Sequence, residues 1–267
     1  MKYAVTDYPP LTFRLLCMVI GIGALGAYMA ARNDPFFVPK AERKRVLQLG
    51  FGNMVVWHVF AIVAVKYLSS GRAAIVGYTM PVWALLASAI FFKDRITVRG
   101  ALGVLLALLA TLLLAAEEFT SLVGQPLGLG MMLIAAIAWG IGTAMMKNMT
   151  VSISNAALTF WMMILTIGFL LVLTIAFESS QWRMPTMGQW AAIVFNAVVI
   201  FGFCHVVWFR LARKLSPVAS SLSIMLIPIL GVFSGALALN ETIGPYDLGA
   251  LVLILLSMGA VLLKKRP

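Results

Sequence analysis

His205-VVWFRLARKLSPVASSLSIMLIPILGVFSGALALN-Glu241 decides the fold. It is a basic turn (Arg210, Arg213, Lys214), then an apolar run with Pro228 at its middle, then an acid. The same plan runs earlier, from His58 to Asp94: HVFAIVAVKYLSSGRAAIVGYTMPVWALLASAIFFKD. His58 and His205, Pro81 and Pro228, and Asp94 and Glu241 are each 147 residues apart, and Leu158-Thr159-Phe160 repeats Leu11-Thr12-Phe13 at that spacing. One offset shared by separated landmarks makes the chain two copies of one apolar unit.

The composition excludes an ordinary soluble domain. Apolar residues make up 62% and charged residues 11%, against roughly 45–50% and roughly 25% in soluble proteins. The apolar runs are long enough to cross a bilayer as helices, and they lack the strict alternation of barrel strands. We expect nine helices, near 10–31, 46–65, 73–92, 98–116, 126–146, 156–177, 187–209, 216–239 and 246–263: an all-α transmembrane bundle. The formal charge of +11 does not point to nucleic acid, because the basic residues sit in short turns and form no groove. Cys17 and Cys204 lie in apolar segments and offer no metal or disulfide spacing. The start, MKYAVTDYPP, has an acid and two prolines where a signal peptide would turn apolar.

Charge asymmetry sets an orientation. Fifteen of the twenty Lys and Arg fall in one set of alternating loops: 32–45, 93–99, Lys147, 210–214 and 264–266. Lys2, Lys66, Arg72 and Arg183 fall in the other, and Arg14 lies within the first helix. The positive-inside rule then puts the C-terminus in the cytoplasm and the N-terminus outside an inner membrane. The first unit, 1–117, holds four helices and the second, 126–264, holds five. The offset puts the counterpart of the second unit's opening helix before residue 1. The first helix is therefore expected to be missing, through a misassigned start, a fragment or a true nine-helix protein. A five-helix unit, being odd, makes the copies lie inverted, as in many secondary transporters.

The units resemble the EamA domain of the drug/metabolite transporter superfamily. Pro10-Leu11 to Arg14 opens a helix in the family's manner, and the proline-centred helix ending in an acid occurs twice (Pro81–Asp94, Pro228–Glu241). A helix opening with glycine follows each acid (Gly100-Ala-Leu-Gly103, Gly249-Ala-Leu-Val252), and Ala138-Trp139-Gly140 to Lys147 is similar to the repeat-opening helix. The chain departs in its Lys93-Asp94, where the family commonly has Gly-Glu. The resemblance implies a ten-helix bundle of inverted repeats around a cavity open to each side in turn, exporting or exchanging amino acids, metabolites or drugs.

Several residues are candidates for the substrate pathway. Pro81 and Pro228, near mid-helix, would release a carbonyl beside the path or only kink the packing. His58 and His205, the only histidines, can contact substrate, carry protons, or bond a neighbouring helix as neutral groups. Arg14 can pair with an anionic substrate or Asp7, or snorkel to the headgroups. Trp83 and Trp139 suit an apolar cavity wall or packing. Tyr78 and Ser223 could offer hydroxyls to a substrate. Asp94 and Glu241 are expected to tie helices together through basic neighbours. Gly21-Ile-Gly23-Ala-Leu-Gly26 mimics a dinucleotide motif but lies in an apolar helix, where glycine serves close packing. No acid pair, nucleophile set, metal set or ATPase motif supports an enzyme or a pump. The expected partners are lipid, a small-molecule substrate, coupling protons and a second copy in a homodimer, with no cofactor and no nucleic acid. The other readings are a non-transporting fragment and a membrane enzyme.

Overall fold

The structure, a computed structural model, describes residues 2–93, 96–120, 125–149, 151–204 and 217–262, with backbone alone at Pro81, 115–120, Lys147, 217–226, Pro228 and 261–262. A short helix α1 (Lys2–Val5) precedes α2 (Pro10–Ala31). The next span is α3 (Arg43–Gly50), a π-helical stretch over Phe51–Val55, and α4 (Val56–Tyr67). Then come α5 (Ser70–Gly77), α6 (Met80–Phe92), α7 (Val98–Thr120), α8 (Pro126–Asn148) and α9 (Asn155–Phe177). α10 (Met187–Phe195) runs into a second π-helical stretch over Asn196–Cys204, followed by α11 (Pro217–Leu239) and α12 (Pro245–Leu262). Six spans among the described residues are long and apolar enough to cross a membrane. The protein is an all-α polytopic membrane bundle.

Local chemistry sets the helix ends. Proline opens α2 and α8, where a missing N–H costs nothing. Ser69 caps α5, Ser154 caps α9, and Thr186 with Gln189 forms a reciprocal capping box on α10. Lys93 (φ 57°), which caps α6, and Asn240 (φ 53°), just after α11, both turn left-handed. These two corners are 147 residues apart.

The packing follows the same offset. α2 lies on α9, α5 on α11 and α7 on α12, each element against its counterpart, while α3 packs on α9 and the second π stretch on α2. One core gathers Phe13, Met18, Leu25, Met163, Leu170 and Phe201, and another gathers Leu68, Ile75, Leu114, Met132, Ile254 and Met258. Lipid is as apolar as these side chains, so close fit rather than exclusion of water holds the helices together. A Cβ on Gly21 would lie 2.8 Å from Phe201 Cβ and 3.1 Å from the Ala197 carbonyl oxygen. This contact with the second π stretch explains the first glycine of the pseudo-nucleotide motif.

Candidate functional site

The π stretches mark where the chain departs from regular helix. Residues 51–55 shifted by 147 become 198–202, inside Asn196–Cys204, so both copies widen at the same place. Such turns are rare and concentrate at functional sites. Each stretch carries a buried asparagine whose amide donates to the carbonyl four residues back: Asn53 to Leu49 (3.3 Å) and Asn196 to Ala192 (2.9 Å). Each amide supplies an extra donor to a carbonyl beside the widened turn.

Arg14, His58 and Phe201 meet here. The Arg14 guanidinium lies 5.6 Å from the centre of the Phe201 ring, and the His58 ring lies 5.4 Å from it on a 60° tilt. Arg14 and His58 are each 5% exposed and Phe201 is fully buried. Arg14 thus points into the bundle and does not snorkel to the headgroups. Asp7 does not neutralise it, because that side chain lines a cavity at the end of the bundle instead. A guanidinium held on an aromatic face gains cation–π energy while keeping its planar fork of donors. An imidazole and a guanidinium at one junction of α2, α4 and the second π stretch can hold an anionic group and move a proton.

A second group forms on the other flank of α4. The Trp57 and Trp139 rings pack at 5.1 Å. The Trp83 indole N–H donates to the Thr79 hydroxyl (3.0 Å), which donates to the Val76 carbonyl (2.7 Å). Gly140, beside Trp139, sits so close to α6 that a Cβ there would lie 2.7 Å from the Ala84 nitrogen. The expected mid-helix kink at Pro81 is instead a break. α5 ends at Gly77, Tyr78 and Thr79 turn, and Pro81 falls in the opening turn of α6, where it leaves no donor missing. α11 runs unbroken through Pro228 and Ser223. His205 and Asp94 lie outside the described residues.

Acids join the two sequence copies at the ends of the bundle. Glu178, closing α9, accepts from the Leu11 and Thr12 backbone N–H (3.0 and 2.7 Å) and the Thr12 hydroxyl (2.7 Å), which caps α2. Glu241 accepts from the Ser70 backbone (2.8 Å) and hydroxyl (3.2 Å), so it holds a helix start, with the basic Lys2 close enough to feel its charge. Arg72 pairs with Asp247 at 2.8 Å. Lys2 donates to the Lys66 and Leu68 carbonyls (3.2 and 2.5 Å), and Tyr8 to that of Arg183 (3.2 Å). The four cations of the poorer loop set therefore share one end. Burial holds the Lys2 ammonium below the usual lysine range, with Glu241 partly offsetting it. Burial pushes the Tyr8 phenol up; Arg183 opposes this and Glu178 adds to it. At the other end Glu42 accepts from the Ser152 backbone (3.0 Å). Sequence reasoning missed Phe201, Asn53, Asn196, Glu178 and Glu42.

A polytopic helical bundle with a buried cation and imidazole where its two sequence copies meet suits a membrane carrier. The chain belongs to the EamA-like transporter family, whose model matches residues 1–116 and 126–263. It is 27% identical over 251 residues to the uncharacterised transporter YoaV of Bacillus subtilis, covering 91% of this chain and 84% of that one. It is 25% identical to an uncharacterised transporter of Archaeoglobus fulgidus (83% and 78% covered). A probable amino-acid metabolite efflux pump of Salmonella typhimurium is 24% identical (82% and 77% covered). A solved crystal structure shares the fold at a TM-score of 0.69 and 19% identity, over 97% of this chain and 90% of that one. Secondary transport of small molecules across a membrane is its function. It is a transporter, as its relatives are named transporters or an efflux pump.

Proposed function

We propose that the protein exports small organic metabolites, amino acids or drugs from the cytoplasm by alternating access. The observation that carries this reading is the packing of offset-related helices on one another: α2 on α9, α5 on α11, α7 on α12. Elements that meet their own counterparts suit two repeats, 1–117 and 126–264, related by an axis in the membrane plane, with the pathway between them. The charge asymmetry of the loops puts the Lys2 end outside and the C-terminus in the cytoplasm of the inner membrane. The pathway runs past Arg14 and His58, then the break at Tyr78 and Pro81 with Trp83 and Trp139. Pro228, Ser223 and His205, chosen from the sequence, complete the proposed set. Arg14 holds the anionic end of the substrate, and the histidines carry the coupling proton, since no ATPase motif occurs.

Reconstituted vesicles loaded with unlabelled amino acids test this by counterflow of labelled solute. The wild type accumulates label. Arg14→Gln loses about tenfold or more of the exchange, the worth of a charge-assisted bond, with its melting temperature retained. His58→Gln keeps exchange but no longer responds to an imposed pH gradient. Unchanged exchange in a folded Arg14→Gln protein overturns the pathway; an undiminished pH response in His58→Gln removes the proton role.

A further inference from the structure

At the Lys2 end, between the start of α2 and the turn from α9 to α10, lies a cavity of about 420 Å³ lined by Asp7, Pro9, Ser180, Gln181, Trp182 and Arg183. We propose that it is a binding site for free α-amino acids, distinct from the pathway inside the bundle. The volume falls within the roughly 300–1,000 Å³ of small-molecule sites, and the lining supplies each part of that ligand.

Arg183 and Asp7 bring opposite charges to one hollow, yet they form no ion pair with each other. One guanidinium N–H of Arg183 donates to the backbone carbonyl of Asp7, and the fork has further donors for a carboxylate. Among the described residues the Asp7 carboxylate, the Ser180 hydroxyl and the Gln181 amide make no protein hydrogen bond. An ammonium placed at Asp7 and a carboxylate at Arg183 would each meet an opposite charge. Trp182, 49% exposed, offers an apolar face to the ligand's side chain.

The walls are held before a ligand arrives. Tyr8 bonds the Arg183 carbonyl on one side, and Glu178 grips the Leu11 and Thr12 N–H groups just behind Pro9. Asp7 and Pro9 come from the first repeat and residues 180–183 from the second, so an occupant clamps the two units together at this end.

Calorimetry on the detergent-solubilised full chain tests the site with L-phenylalanine, its half-ligands phenethylamine and 3-phenylpropionate, and phosphoethanolamine as a lipid headgroup. L-Phenylalanine binds about tenfold or more tighter than either half-ligand, because each half forfeits a charge-assisted contact. Asp7→Asn erases the preference over 3-phenylpropionate, and Arg183→Gln erases the preference over phenethylamine. A merely structural role for either side chain would not split the ligands in this way. The proposal is overturned if L-phenylalanine does not bind, if half-ligands bind equally well, or if Asp7→Asn leaves the preference intact. Binding of phosphoethanolamine in place of L-phenylalanine overturns it too, and gives the cavity to a headgroup. The measurement needs no gradient, so its failure leaves the transport reading standing.

Discussion

Glu178 is 6% exposed and spends both carboxylate oxygens on the opening turn of α2. Glu42 makes the matching contact at the opposite end, holding the Ser152 N–H ahead of α9, but in an exposed setting. Burial decides which contact matters, since water replaces a lost bond only where it can reach. Glu178→Gln keeps the shape and loses the charge, so it should lower unfolding stability by about 1.5–3 kcal/mol, measured by denaturation in detergent micelles. Glu42→Gln should change it by less than about 1 kcal/mol. Equal losses from the two substitutions would contradict this ranking. Neither acid was legible in the sequence, because their partners are backbone groups on distant residues. Phe201 escaped notice for a different reason: a phenylalanine in an apolar run carries no mark of what its ring faces. Arg14 and His58 were legible, because ionisable groups inside apolar helices stand out.

Among the elements, the corners after α6 and α11 are the best-matched pair. Asn240 suits a left-handed residue; Lys93 does not, and an L-residue with a Cβ is strained there by about 1–2 kcal/mol. Lys93→Gly should therefore stabilise the protein by about 1 kcal/mol and raise its melting temperature; a drop would show that the corner needs its side chain. The resemblance to Gly-Glu families pointed at this position, while only the backbone shows why glycine suits it. Helix limits were readable because runs such as Pro10–Ala31 and Asn155–Phe177 end at charged or capping residues. The π stretches were not, since a widened turn leaves composition unchanged. Nor was the break before Pro81: a proline inside an apolar run looks the same whether it bends a helix or starts one.

For the whole molecule, orientation is the quantity that everything else assumes. With Cys17 and Cys204 replaced, a single cysteine at Arg183 should react with a membrane-impermeant maleimide in intact cells, and one at Glu42 only after permeabilisation. The reverse pattern would turn the bundle over. The duplication was legible because each copy kept its own proline, histidine and acid, but the sequence gives no hint that the copies have diverged mechanically. α5 and α6 are interrupted at Tyr78–Thr79, whereas α11 continues as a single rod. One half owns a joint that its twin lacks. If the two halves move in transport as proposed, a joint in one alone makes the two mouths unequal, and the solute concentration that half-fills the carrier should differ between its sides.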